Sequence, residues 1–335
     1  MKWLLFSLCV ACGVFTAGAQ RTAETARRIP ALYWDQGVET AESLKQQGIE
    51  AIAVSPVTLA AWRKAGFNAI PMSGQELARR EKLMIPRTAG RGNVASATRR
   101  PWIDSNGWRF VRSPSGKFYS DLTQNARNRV ALAIAESFAY RADAVLKIDP
   151  ADLAEAGAMT RFLRELPPED HAPIADIGVV DTKSASLDEV LNLLTRRNLL
   201  FRLLPAPSPK HRVNIKIGTA EFPESAAADP SEFAQMVRAK LGDENRSIRI
   251  YGSETVIARL SGDGRAFRLH LLNYSGREIE GLRVRIARAS LDGGKAWAFG
   301  IGSFLFEAPV SDAGAAEFSI PRMGSYAVID GALAR

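Results

Sequence analysis

Cysteine is almost absent: two occur in 335 residues, Cys9 and Cys12. Histidine is as sparse, and His171, His211 and His270 stand far apart in the chain. No H-E-x-x-H, G-x-S-x-G or Gly-rich phosphate loop occurs, so zinc-protease, serine-hydrolase and P-loop chemistry have no motif to rest on. No metal site or nucleophile triad is assigned, and no cofactor is expected. A membrane-spanning helix needs about 20 predominantly apolar residues. The run from Trp3 to Phe15 is shorter, and the polar stretch Gln20 to Arg28 follows it. Blocks of like charge are missing as well. The 44 basic and 36 acidic residues leave a net charge of +8, but the arginines are scattered. That spread fits a generally basic soluble protein and gives no footprint for nucleic acid.

What is present begins with an address. Lys2, the apolar run and then Thr16, Ala17, Gly18, Ala19 and Gln20 form a charged start, a short hydrophobic stretch and small residues, the pattern of a secretory signal. Ala17 and Ala19 place cleavage between Ala19 and Gln20, so the protein is expected to be secreted or periplasmic, with no stable membrane span after cleavage. Both cysteines leave with the peptide, which excludes disulfides, thiolate nucleophiles and cysteine-bound metals from the mature chain. Lipidation at Cys12 is the lesser alternative, because Cys9 stands where such a motif usually wants Leu. Roughly 315 residues remain, ample for two or three buried cores.

From Ala31 short apolar runs alternate with amphipathic segments, the sign of βα units and a parallel sheet. Strands are expected at Ala31 to Trp34, Ala51 to Val54, Asn68 to Pro71 and Ala144 to Ile148. Helices are expected from Thr40 to Gln47, from Ser55-Pro56 to Ala65, after the capping box Ser73-Gly74-Gln75-Glu76, from Gln124 to Tyr140, and from Pro150 to Glu165. Between Met84 and Leu122 the pattern gives way to a long irregular stretch rich in Gly, Pro, Arg and aromatics, a kind of connection that is often functional. A second α/β stretch follows: strands at Ile174 to Val180, Leu200 to Leu204 and Val213 to Ile217, with helices from Leu187 to Arg197 and Asp229 to Leu241. After Arg246 the period is that of strands. About seven are expected, broken by turn signals such as Gly262-Asp263-Gly264 and Asp292-Gly293-Gly294, which suggests a β-sandwich. His270 alternates with Leu269 and Leu271 and reads as an exposed strand residue.

The segments Phe267-Arg268-Leu269-His270-Leu271-Leu272-Asn273-Tyr274-Ser275, Glu280-Gly281-Leu282-Arg283-Val284 and Ile320-Pro321-Arg322-Met323-Gly324-Ser325-Tyr326-Ala327-Val328 resemble the strands that close secreted glycoside hydrolases of the β-galactosidase type. Residues 174–204 resemble the amidotransferase-like domain of that family. The resemblance covers about residues 170–330 and only loosely the first half. After the signal peptide of residues 1–19, it implies a partial or TIM-barrel-like (β/α) region over 29–168, an amidotransferase-like α/β region over 173–244 and an antiparallel β-sandwich over 246–331. It also implies a glycan or other polyhydroxylated ligand, and a homo-oligomer, because the middle domain of such enzymes helps assemble them. A full barrel needs about 200–250 residues, more than Ala31 to Leu166 supply, so closure into eight units is not expected. The family's catalytic glutamates have no counterpart by motif.

Sugar hydrolysis usually takes two carboxylates, one protonated, at the C-terminal ends of barrel strands. Asp35, Asp104 and Asp149 meet the position requirement. Each has a structural alternative: a turn residue before Gly37 for Asp35, an Asx turn for Asp104, a helix N-cap before Pro150 for Asp149. Trp34, Arg100, Trp102, Asn106, Trp108 and Arg109 are the candidate sugar-binding residues, since aromatic faces stack on sugar rings and guanidinium forks hold oxygen ligands. The alternative is that these aromatics fill the gap of an incomplete barrel. Three functions stay open: a glycoside hydrolase, a catalytically degenerate glycan-binding or envelope assembly protein, and an envelope protein that binds polyanions through its arginines. Export itself is testable by intact mass: material from the extracytoplasmic fraction is expected to begin at Gln20, whereas an uncleaved chain or a lipidated Cys12 would overturn the assignment.

Overall fold

The computed structural model describes residues 29–89, 101–124, 129–182, 184, 186–312 and 314–333. The expected signal segment and Arg99 and Arg100 lie outside the described residues. Within them, no helix is long and apolar enough to cross a membrane.

Six strands, β1 (Ala31–Tyr33), β2 (Ala51–Val54), β3 (Asn68–Pro71), β4 (Glu81–Lys82), β5 (Lys117–Asp121) and β6 (Asp143–Lys147), form one sheet in the order β3-β2-β1-β6-β5-β4. Every pairing is parallel. The order is that of a barrel wound from β1 to β6, with the last strand back beside the first. The ring stays open, because β3 and β4 are the two edges and do not pair. The helix Gly74–Arg79 joins those edges, started by the expected capping box in which Ser73 and Glu76 satisfy each other's backbone N–H groups. Its Leu77 packs on a small interior cluster of Ala53, Met72, Tyr119 and Val145. The opposite faces of the strands, carrying Leu32, Ile52, Val54, Phe118 and Leu146, join the main core with the flanking helices. Burial on both faces is why these strands read as short apolar runs with little alternation.

The stretch expected to be irregular carries regular structure in its described residues, 84–89 and 101–122. It holds a hairpin, Arg87–Ala89 with Trp102–Asp104, then the helix Gly107–Arg112, then β5. Strand β5 reads Lys-Phe-Tyr-Ser-Asp, too polar at alternate positions to stand out beside Gly116.

The middle region is a three-stranded parallel sheet, Phe201–Leu204, Ile177–Val180 and Val213–Ile215, which shares a core with the helices Leu187–Arg196 and Pro230–Leu241. Asp229 caps the second of these by accepting from the N–H groups of Ser231 and Glu232, both at 3.0 Å. The C-terminal region has two antiparallel sheets around one core. One holds Ile248–Tyr251, Ile279–Ala287, Ala315–Met323 and Glu307–Asp312; the other holds Gly302–Phe304, Ala289–Ala298, Tyr326–Leu333, Ala266–Asn273, Val256–Gly262 and Ala172–Pro173. Asp292-Gly293-Gly294, expected as a turn, lies inside the strand Ala289–Ala298. The register shifts there between Ser290 and Lys295, and Gly293 takes φ +68, so the turn residues make a bulge.

His270 corrects a second expectation. It is 3% exposed, with Nδ1 2.6 Å from the Tyr326 hydroxyl. Beside it Arg268, 2% exposed, grips Asp330 through two contacts of 2.6 Å. This outer sheet face meets the helix Val130–Ala139, all ten residues of which are buried. The polar half of the strand alternation therefore points at protein and not at solvent.

Glu136 of that helix locks the junction. Its carboxylate accepts from the N–H of Asn106 (2.6 Å), the Asn106 side-chain amide (3.1 Å), the N–H of Gly107 (3.1 Å) and the Tyr274 hydroxyl (2.6 Å). Asn106 in turn clasps both backbone groups of Met84 at 2.9 Å. Complete burial pushes the Glu136 carboxyl above its ordinary range against these hydrogen bonds. Glu136→Ala orphans several buried donors and is expected to cost at least ~3 kcal/mol in denaturant unfolding. Because the folded carboxyl titrates above the unfolded one, its contribution is full below the unfolded value of 4.5 and falls as pH rises through the folded one. Glu136→Gln should therefore cost more at pH 4 than at pH 7. A cost that grows with pH would show that the site instead favours the charged form.

Candidate functional site

Strand pitch and register decide what reaches the C-terminal end of the parallel sheet. Tyr33 of β1 is level with Lys147 of β6, and Lys147 with Asp121 of β5. In a parallel sheet, residues level with one another face the same side. Asp35 follows β1 at the same end, and its Oδ2 lies 2.7 Å from Lys147 Nζ. Tyr119, two residues before Asp121, points its hydroxyl at Asp121 Oδ2 over 3.4 Å. Asp121 Oδ1 accepts from Thr123 through the hydroxyl at 2.6 Å and the backbone N–H at 3.1 Å. Asp35, Lys147, Asp121, Tyr33 and Tyr119 thus form one polar cluster, the position at which barrel enzymes assemble their sites.

The electrostatics follow from this layout. Partial burial pushes the Asp121 carboxyl up, but the two Thr123 donors, Lys147 and Tyr119 outweigh it and hold the carboxyl below its ordinary range. The hydrogen bond to Asp35 raises Lys147 despite some burial. Burial, followed by the charge of Asp121, pushes the Tyr119 phenol well up. The cluster is one ammonium between two carboxylates, with a neutral phenol beneath. Asp35 and Asp121 are exposed and Tyr33 is half-buried, so hydroxyl groups of a ligand have acceptors, a donor and a ring edge within reach.

The expected acid and base residues are dispersed. Asp35 belongs to this cluster. Asp104 accepts from Trp102 Nε1 at 3.2 Å and pairs with Arg87 at 3.4 Å. Asp149 accepts from the N–H of Ala151 at 2.9 Å, the cap of a short 3-10 turn begun by Pro150. The three share no partner. The expected sugar-binding residues are engaged with protein. Trp34 is buried and donates to Thr40 Oγ1 at 2.8 Å. Trp102 lies under the Arg196 guanidinium, 4.1 Å from the ring centre, and packs with Trp108 on the core of the middle region. Arg109 covers the Trp108 ring at 4.3 Å and pairs with Glu81 at 3.0 Å. Asn106 serves Glu136, and Arg100 is outside the described residues. The sequence did not single out Asp121 and Tyr119 because β5 was folded into the loop, where alternation of Phe118 and Ser120 against Lys117, Tyr119 and Asp121 was the available signal; Lys147, inside an expected strand, became a partner only through register.

Carboxyls held above their ordinary range lie elsewhere. Glu136 is sealed in the junction, and Glu155, raised mainly by burial, accepts from the N–H of Ala131 at 3.1 Å. Among the described residues, no three His, Cys, Asp or Glu side chains converge as metal ligands.

No family model matches the sequence, and no curated protein does. Solved structures do. The α-L-fucosidase isoenzyme 2 from Paenibacillus thiaminolyticus superposes with a TM-score of 0.53 at 9% identity, covering 88% of this chain and 71% of the fucosidase. A β-galactosidase from G. stearothermophilus gives 0.35 at 7% identity over 70% of this chain and 52% of its own. An exo-carrageenase from Bacteroides ovatus gives 0.38 at 8% identity over 74% and 47%. The chain spans about half the length of these last two. The fold is glycoside-hydrolase-like, with a parallel sheet that does not close into a barrel.

Lys147→Met removes the cation shared by the cluster. The Asp121 carboxyl is then expected to titrate at a higher pH in a carbon-13 NMR titration. Its stabilising contribution, present above the unfolded value of 3.8 and lost as pH falls through the folded one, should shrink accordingly. An unchanged Asp121 titration would show that Lys147 does not act on it.

Proposed function

We propose that this chain is an exported glycan-binding protein on a glycoside-hydrolase-like scaffold, one that recognises sugar hydroxyls at the C-terminal rim of its open sheet and does not cleave the glycosidic bond. The carrying observation is the Asp35–Lys147–Asp121 cluster. Two carboxylates at one rim invite comparison with a hydrolytic pair, but hydrolysis needs one of them protonated to release the leaving group. Asp121 is held below its ordinary range by Thr123 and Lys147, and Asp35 faces the Lys147 ammonium. Asp121 is therefore not set up as an acid, and Asp35 is engaged in an ion pair. The same arrangement suits recognition, where ionised carboxylates accept from paired hydroxyls and the ammonium donates.

The likeness of fold to a fucosidase supports a carbohydrate ligand, as does the location of the cluster. Asp104 and Asp149 are proposed as a hairpin ion-pair residue and a helix cap. The hydrolase reading rests on the presence of two carboxylates at one strand-end rim and is decided by the same experiment.

The mature protein, from Gln20 onward, is screened on a glycan panel for binding and for released reducing ends, beside an Asp35→Asn/Asp121→Asn double variant checked for its fold by circular dichroism. Binding without turnover, weakened at least tenfold in the double variant, is expected. Turnover that disappears in the variant would establish a hydrolase. Binding that survives the double change would move the site elsewhere.

A further inference from the structure

A cavity of about 420 Å³ lies where the three regions meet, away from the strand-end cluster. The first region supplies Phe110, Val111 and Tyr140, the middle region Phe201 and Arg202, and the C-terminal sheet Arg259. The apolar part of this lining comes from side chains that otherwise belong to or flank the cores. The polar part carries four arginines, Arg112, Arg141, Arg202 and Arg259, and one carboxylate, Glu169.

The cations differ in how they are matched. Arg141, in the left-handed conformation at φ +56, reaches Glu169 at 3.0 Å, Asp170 at 3.3 Å and the carbonyl of His171 at 2.8 Å. Arg112 pairs with Asp188. Arg259 has no such match: among the described residues it makes no hydrogen bond and no ion pair, and its one close partner is the Tyr140 ring, 5.0 Å from the guanidinium carbon. Arg202, at the cavity edge, donates to the carbonyl of Pro173 at 2.7 Å and meets no carboxylate. Arg259 occupies the outer face of the strand Val256–Gly262, opposite His270, on the sheet face that the helix Val130–Ala139 covers. The side chain is half-buried, and this desolvation, with the like charges of Arg141 and Arg202, works against its cationic form while Tyr140 favours it. A guanidinium in such a place is stabilised by an anion from outside.

We infer that this junction cavity binds a small organic carboxylate, whose carboxyl group takes the Arg259 fork with Arg202 at the entrance and whose body lies against Phe110, Val111 and Phe201. The volume is within the range of small-molecule sites and far exceeds one inorganic ion, and apolar walls from Phe110, Val111, Pro114 and Phe201 stand beside the arginines. A planar carboxylate matches the guanidinium fork through two parallel hydrogen bonds. The Tyr140 ring holds the other side of the guanidinium by cation–π contact, which orients the fork without neutralising it.

The inference is independent of the glycan site and is separable from it by experiment. Isothermal titration with the full mature protein uses glucuronate, benzoate, glucose and inorganic phosphate as probes. At least one of the two carboxylates is expected to bind, glucuronate if the natural body is a sugar acid and benzoate if it is an apolar ring, with glucose and phosphate at least tenfold weaker. Arg259→Gln is expected to weaken that binding at least tenfold and Arg259→Lys to restore part of it, each with unchanged melting temperature. The Asp35→Asn/Asp121→Asn variant should bind the carboxylate as the native chain does. Equal affinity in Arg259→Gln, phosphate bound as tightly as the carboxylates, or neither carboxylate bound would overturn the proposal. If Arg259→Gln lowers the melting temperature, Arg202→Gln at the exposed edge provides the reading, with weaker binding expected and unchanged binding contrary.

Discussion

A single buried carboxylate holds the molecule together. Glu136 gathers donors from the segment after the hairpin, Asn106 and Gly107, and from the first turn beyond a sandwich strand, Tyr274. Those groups are far apart in the chain, at the start of the helix Gly107–Arg112 and just past the strand Ala266–Asn273, so satisfying one of them fixes the others. Tyr274 is held at its backbone as well, where its carbonyl accepts from Thr88 Oγ1 at 2.8 Å and Arg129 at 3.0 Å. Gly107 must be small here: a Cβ would lie 2.4 Å from the Tyr140 ring. A buried charge with unmet partners costs several kcal/mol, whereas a satisfied network specifies one arrangement. A second seam ties the middle region to the same sandwich: Asp176 takes the hydroxyl and N–H of Ser247 at 2.6 and 3.0 Å, and Asn198 brackets Val256 and Ala258 at 3.0 and 2.7 Å. The cavity beside Arg259 exists because both seams hold three units at fixed separation.

The open sheet meets its constraints differently. With β3 and β4 unpaired, the interior cannot be filled by eight strands, and it is closed by Met72, Leu77 and Tyr119 around alanine and valine. Only the rim remains polar. There the charges neutralise one another locally, Lys147 against Asp35 and Asp121, and the proposed recognition of glycans rests on this local balance. An acid for leaving-group departure has to be kept uncharged by burial or by a like charge, and the protein spends those environments on Glu136 and Glu155, which hold backbone and hydroxyl donors instead.

Much of this organisation is legible in the chain. Ala51–Val54 and Asn68–Pro71 appear at the expected bounds, the Ser73–Glu76 capping box forms, and the shortage of residues for a closed barrel is real. These features depend on local chemistry or on counting. Two of the errors share an origin, that polarity is read as exposure. Arg268 and His270 alternate with leucines as solvent-facing residues would, yet their face is covered by a helix from the first region, and their polar atoms are matched by Asp330 and Tyr326. The polar positions of β5 concealed the strand that brings Asp121 to the rim. The dense aromatics of residues 102–110 also join regions, with Trp102 and Trp108 packed on the middle core. Asp35 was legible because it ends an apolar strand; its partners were not, since register between distant strands is not written in either one.

Hydrogen–deuterium exchange on the mature protein, with and without the tightest glycan from the panel, locates recognition most directly. New protection confined to the rim peptides around Tyr33 to Asp35, Tyr119 to Thr123 and Lys147 is expected. Protection that appears instead along Trp102 to Arg112, with the rim unchanged, would contradict recognition at the strand ends and return the ligand to the aromatic segment.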